Sequence, residues 1–219
     1  MYASSLISSD FIPLKTSDTG EDALSIMADY NVSHLPIVND KQLLGLISQD
    51  DVLLNDINEP VGSYPLSLLK PFVYASDHIF DVMKLLGQEQ LTVIPVIDRD
   101  ENYLGLITEK KLMEFFANTA SFTEPGSLIV LEIPRQDYSL AQISQIVESE
   151  GSVVLSSFVT TNLSSSVVDV TIKVRSLQIH TIIASLERYG YSIKATFQEE
   201  DFHSNLQDNY DALISYLNM

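Results

Sequence analysis

The sequence predicts an α+β fold in two parts, a helix–hairpin–helix unit written twice and then a βαββαβ run. Three observations predict it. Val32 to Asn39 reappears as Leu91 to Asp98, with Pro36 over Pro95 at an offset of 59 residues, and Leu43 to Ser48 reappears as Tyr103 to Thr108 with Gly45 over Gly105 at an offset of 60. Repetition at a fixed period marks a unit that stacks on its own copy. The stretch Ala117 to Gly126 is small and polar and ends in Pro-Gly, which marks a domain boundary. Beyond it the pattern changes to alternating strands and amphipathic helices.

In the first copy Asp18, with Glu21 three residues on, reads as a capping box opening a helix that carries Ala23, Ile26, Met27 and Tyr30. Val32 to Val38 is a β-rich run, Asn39 to Gln42 a turn, and Leu43 to Ile47 the returning strand. The second copy follows suit: Ile79, Val82, Leu85 and Leu86 on its helix, Leu91 to Ile97 and Tyr103 to Ile107 as strands, and Leu112, Phe115 and Phe116 on the closing helix. Pro36 and Pro95 interrupt strands, which a sheet accepts only at an edge or bulge.

The unit centres on Gly45-Leu46-Ile47-Ser48-Gln49-Asp50-Asp51, echoed by Gly105-Leu106-Ile107-Thr108-Glu109-Lys110-Lys111. A serine at a strand-to-helix junction caps the helix and can still face outward. An acid three residues on lies beside it. Hydroxyl, free backbone N–H groups and carboxylate, side by side, suit a phosphate and a ribose diol. The plainer reading of the same residues is a helix cap, with Asp51 a solvated carboxylate favoured by the helix dipole.

Taken together, proline followed by two aliphatics, then glycine, two hydrophobics and Ser/Thr, present twice, resembles the CBS domain, and two in tandem resemble a Bateman module over residues 1–118, with repeat 1 about 1–58 and repeat 2 about 59–118. The resemblance implies a regulator that binds adenosine-containing ligands (AMP, ADP, ATP or S-adenosylmethionine) in clefts between repeats. It implies a first cleft joining Leu46, Ser48 and Asp51 to Leu91, Thr92 and Val93, with Ser63 as a further hydroxyl. A second, altered cleft joins Leu106 and Thr108 to Val32, Ser33 and His34, with Lys111 where the family has aspartate. Lysine cannot accept both ribose hydroxyls; it suits a phosphate instead.

After the linker at 119–126, Leu128 to Ile133 reads as a strand, Leu140 to Val147 as a helix closed by Gly151, Val153 to Val159 and Val167 to Val174 as strands joined by a turn at 162–165, Ser176 as the cap of a helix through Leu186 ending before Gly190, and Tyr191 to Phe197 as the last strand. The order βαββαβ is ferredoxin-like. Residues 127–199 resemble an ACT domain, and a CBS pair followed by ACT resembles the acetoin-utilisation-type bacterial proteins. ACT domains that bind amino acids carry an aspartate and a glycine after the first strand; Pro134 to Ser139 holds the acid, Asp137, without the glycine. Assembly and coupling are therefore the expected role, with amino-acid sensing as the alternative. Residues 200–219 place Phe202, Leu206, Tyr210, Leu213, Ile214 and Leu217 along one face of an amphipathic helix.

Thirty acids against 12 basic residues give a net charge of −18, and the basic residues are scattered, which argues against nucleic acid and anionic lipid as partners. No apolar run reaches the ~18 residues of a membrane span. No basic-then-apolar leader opens the chain, and there is no cysteine, which fits a cytoplasmic protein. His34, His78, His180 and His203 stand far apart, with no metal-ligand spacing, nucleophile elbow or phosphate loop, so neither metal, cofactor nor catalysis is expected. The expectation is a cytoplasmic, non-catalytic, homodimeric sensor of an adenosine ligand. Its rival is a structural or interaction protein with vestigial clefts.

Overall fold

The first 117 residues and the remainder form two separate units, each with its own core. The computed structural model describes residues 1–8, 11–68, 70–161 and 166–198, with residue 120 described by its backbone alone. The turn expected at 162–165 and the helix expected at 200–219 lie outside the described residues.

In the first unit, α1 (Gly20–Tyr30) is followed by β1 (His34–Asn39), β2 (Gln42–Ser48) and α2 (Gln49–Leu53). The second copy runs α3 (Ile79–Gln88), β4 (Val93–Ile97), β5 (Tyr103–Thr108) and α4 (Glu109–Ala117), with a two-residue strand β3 (Val73–Tyr74) ahead of it. The capping box of α1 is one residue later than the sequence suggested: Thr19 and Asp22 form it, because the Asp18 carboxylate already accepts from the Lys15 backbone N–H at 2.8 Å. The second copy repeats both arrangements 59 residues on, with His78 and Asp81 as the box and Asp77 accepting from Tyr74 N–H. Each helix of the pair ends in a left-handed residue, Asn31 (φ 53°) or Gln90 (φ 53°), again 59 apart.

Both hairpins are antiparallel, Pro36 facing Leu46 and Pro95 facing Leu106. A bulge follows each proline, at Ile37/Val38 and at Val96/Ile97. Pro95 needs no N–H partner on its other side, since β3 pairs only with Val96 and Ile97. The hairpins meet at their tips, where Tyr103 N–H donates to Lys41 O at 2.6 Å. Leu35, Leu46, Ile47, Ile94, Leu106 and Ile107 are fully buried between them.

Segments outside the repeating elements are exchanged between copies. Residues at the chain start serve the second repeat: Ala3 N–H donates to Asp77 O and Ser8 N–H to Leu106 O. Residues of the inter-repeat stretch serve the first: Val61 N–H donates to Asp18 O, and Tyr64 Oη donates to Asp56 O at 2.6 Å.

The second unit contains β6 (Ser127–Pro134), α6 (Leu140–Ser149), β7 (Val154–Thr160), β8 (Val167–Val174), α7 (His180–Arg188) and β9 (Ser192–Phe197), with a short α5 (Ala120–Thr123) in the stretch expected as linker. Its sheet is antiparallel throughout, in the order β7-β8-β6-β9. Alternate residues of β6 and β8 (Ile129, Leu131, Ile133; Val168, Val170, Ile172, Val174) are buried under Ile143, Ile146 and Val147 of α6 and Ile182 and Leu186 of α7. One covered face and one open face is what period-two burial in an antiparallel sheet produces. Ser139 caps α6, accepting from Gln142 N–H. Ser176 does not cap α7; its hydroxyl donates to Gln178 O, and the helix begins after Ile179 without a side-chain cap. Gly151 (φ 77°) and Gly190 (φ 89°) follow α6 and α7 as left-handed C′ residues.

Candidate functional site

Ser48 ends β2 in an extended conformation and so is placed to cap α2. Its Oγ accepts from Asp51 N–H at 3.0 Å, and Asp51 Oδ2 accepts from Ser48 N–H at 3.0 Å. The second carboxylate oxygen, Oδ1, accepts from Ser67 N–H at 3.1 Å. Asp51 is 3% exposed. Burial pushes its pKa up, but the hydrogen bonds from Ser48 and Ser67 outweigh burial and hold the carboxyl below the usual range. Leu66 lies against Gly45, where an added Cβ would stand 2.6 Å from Leu66 Cδ1. The first repeat's hydroxyl-and-acid pair is thus closed over by the inter-repeat stretch.

The second repeat builds half of this. Thr108 Oγ1 accepts from Lys111 N–H at 3.0 Å, and Lys111 has no carboxylate with which to return the bond. In place of Leu66 and Ser67 it has Ile7 and Ser8, again 59 residues apart, with Ile7 against Gly105.

Between the two repeats runs a polar seam. Thr92 Oγ1 accepts from Ser33 N–H at 2.9 Å and lies 3.1 Å from His34 Nδ1, which also accepts from Thr92 N–H at 3.2 Å. An accepting Nδ1 assigns His34 as the neutral Nε2–H tautomer. Burial lowers the His34 pKa, and the carboxylates of Asp51 and Asp50 offset part of that. Since the folded chain binds this proton less readily than the unfolded one, stability rises with pH across the window below about 6.5. Urea unfolding is therefore expected to show a loss of stability between pH 7 and 5 that His34→Gln flattens; an unchanged slope would dissociate His34 from the seam.

A cavity of about 530 Å³ opens at this seam, taking Val32 from the first repeat, Thr92, Thr108, Glu109, Lys110 and Met113 from the second, and Phe11 stacked on Tyr30 at 4.2 Å between ring centroids. A smaller space of about 380 Å³ lies beside Val32, Ser33, Gln49 and Leu53. Of the residues expected at the sites, Val32, Thr92 and Thr108 line the larger cavity, and Ser33 and His34 join it through Thr92. Leu46, Leu91, Val93 and Leu106 are buried in the core. Ser63 is exposed and donates to Pro60 O. Phe11, Lys110, Leu66 and Ser67 were not expected at a site from sequence, and Tyr30 was read only as a helix position; the 59-residue offset linking Ser8 to Ser67 was the available signal. Among the described residues no cluster of three or more His, Asp or Glu side chains is arranged to hold a metal ion, and no helix is long and apolar enough to cross a membrane.

From residue 3 to 57 and again from 64 to 118, together just over half its length, the chain matches the CBS domain family profile. The chain belongs to the CBS domain family. Its tandem CBS repeats are similar to part of the inosine-5'-monophosphate dehydrogenase of Methanocaldococcus jannaschii, at 24% identity over 115 residues, 51% of this chain and 23% of that protein. They are also similar to part of the homoserine O-acetyltransferase of Methanohalobium evestigatum, at 23% over 117 residues, again 51% and 23%. The chain thus spans about a quarter of the length of these relatives. A solved CBS domain pair/ACT domain protein from Thermotoga maritima aligns with a TM-score of 0.48 at 22% identity, over 53% of this chain and 96% of that one.

Proposed function

We propose that the CBS pair is a cytoplasmic, non-catalytic sensor of an adenosine-containing ligand (AMP, ADP, ATP or S-adenosylmethionine). The observation that carries this reading is the cavity of about 530 Å³ contributed by both repeats, a size suited to a nucleotide. Phe11 and Tyr30 offer an aromatic wall for a base, Thr92 and Thr108 offer hydroxyls for a ribose, and the Lys110 ammonium can meet a phosphate. A ribose diol at the Ser48 and Asp51 cleft would take the place of Ser67 N–H on Oδ1, whereas Lys111 meets Thr108 through its backbone N–H and is not among the residues lining the cavity. Binding shifts the balance between two arrangements of the repeats only by its differential affinity for them.

The second unit is read as ACT-like: its strand order β7-β8-β6-β9 with both helices on one face supports a ferredoxin-like domain. Its edge strands β7 and β9 suit pairing with a second copy, and the resemblance to ACT domains points to dimerisation and coupling as its role.

Calorimetric titration of AMP, ADP, ATP and S-adenosylmethionine tests the sensor. At least one binds, and Lys110→Glu weakens a phosphate-bearing ligand about tenfold, roughly 1.4 kcal/mol, while leaving adenosine itself unaffected. Absence of heat and of thermal stabilisation with all four ends the sensor reading. The closure of Asp51 by Ser67 favours the rival, an interaction protein whose clefts no longer take a ligand.

A further inference from the structure

One face of the second unit's sheet is open and apolar at one end. Register places Ser156, Lys173, Leu128 and Phe197 in one row across the four strands, and Phe158, Thr171, Val130 and Ala195 in the next. These residues alternate with the buried ones, so they point away from α6 and α7. Phe122, Phe158 and Phe197 are each more than half exposed around a concavity of about 600 Å³. Aromatic side chains gathered on a concave surface mark a place where something docks.

We infer that this face seats the chain's own C-terminal segment, residues 201–219, through the apolar stripe of Phe202, Leu206, Tyr210, Leu213, Ile214 and Leu217. Three observations choose that occupant. The chain is delivered to the concavity: β9 runs out at Phe197 opposite Leu128, and Gln198, the next residue, lines it. The reach is right, since 19 residues would span about 28 Å even if wound into a helix, and a four-stranded sheet is roughly 14 Å across. The charge is complementary as well. From Glu199 onward the segment holds five acids and no Lys or Arg, while Lys173 lines the concavity and the Asp169 carboxylate further along the face is already paired with Lys194 at 2.6 Å. Seating the stripe there removes both apolar surfaces from water in a single contact, at the low closure cost of a segment directly joined to its seat.

The native chain contains no cysteine, so a disulfide trap is clean. The full chain carrying Thr171→Cys and Leu213→Cys, and a second full chain carrying Ser156→Cys and Tyr210→Cys, are oxidised at low concentration after mixing with isotope-labelled copies, and the links are mapped by peptide mass. The expected result is a link within one chain in at least one pair. It forms about tenfold more readily than in a Glu148→Cys and Leu213→Cys control, whose first position is exposed on the helix side. Links joining labelled to unlabelled chains would assign the face to a second copy's segment. Links no better than the control, or none in either pair, would assign it to some other partner. Each of these results overturns the inference.

Discussion

Replacing Asp51 with alanine is expected to cost about 2–3 kcal/mol of stability, read from the urea midpoint at neutral pH. Two backbone donors, Ser48 N–H and Ser67 N–H, lose a charged acceptor at once. A hydrogen bond to a charged group contributes about 1.5–3 kcal/mol, and water reaching the exposed Ser67 recovers part of the loss. Asp51→Asn keeps one amide oxygen as acceptor and should fall between alanine and wild type. Lys111→Ala, at the matching place in the second repeat, should change stability by less than about 0.5 kcal/mol, because its side chain returns no bond to Thr108. The contribution also has a pH signature. A carboxyl held below its ordinary pKa in the folded state stabilises above that ordinary value, and the effect fades as acid protonates it toward the lower folded value. Equal stability of Asp51→Ala and wild type would mean that the hook exchanges freely with water.

Gly105→Ala should be about as costly, by a different route. Its φ of 146° is strained for any residue with a Cβ, and the added carbon would stand 2.5 Å from Ile7 Cγ2 and 3.3 Å from Ser8 O. Strain of this kind costs about 1–3 kcal/mol. The clash also lifts the chain start off Leu106. The expected result is a loss of about 2–3 kcal/mol, with faster amide exchange at residues 3–8. Gly87→Ala is the control: nothing lies within 4 Å of its added Cβ on α3, so it should gain about 0.5–1 kcal/mol from reduced backbone freedom. If Gly105→Ala instead behaves like Gly87→Ala, the packing of Ile7 on the second repeat is not a stabilising contact.

The doubled unit could be read from the residues because both copies obey the same apolar period and the same proline and glycine punctuation. Val167–Val174 was placed to the residue, since period-two burial shows directly in the composition of a strand covered on one side. What escaped reading was carried by backbone atoms. The swap of the chain start onto the second repeat runs through Ala3 and Ser8 N–H groups, which leave no side-chain pattern. The cap of α1 was misplaced by one residue because Asp18 and Thr19 are both good caps, and only the bond from Lys15 N–H shows which is occupied. At the site, Ser48 and Asp51 were found as a pair, but Ser67 could not be recognised as the partner of Asp51 sixteen residues away. Tyr30 read only as one position along the first helix and Phe11 carried no signal; their stacking is what puts both on the cavity wall.

The exchange of segments between repeats sets an order of events on the ribosome. Ser8 leaves the exit tunnel well ahead of its acceptor, Leu106 O, which is made nearly a hundred residues later. Ala3 likewise waits for Asp77. At about 5–20 residues per second the segment carrying Ala3 and Ser8 spends several seconds without its final contacts. Residues 3–8 are therefore locked into place only once the second repeat has been made, and the nascent first repeat must hold together without their final contacts.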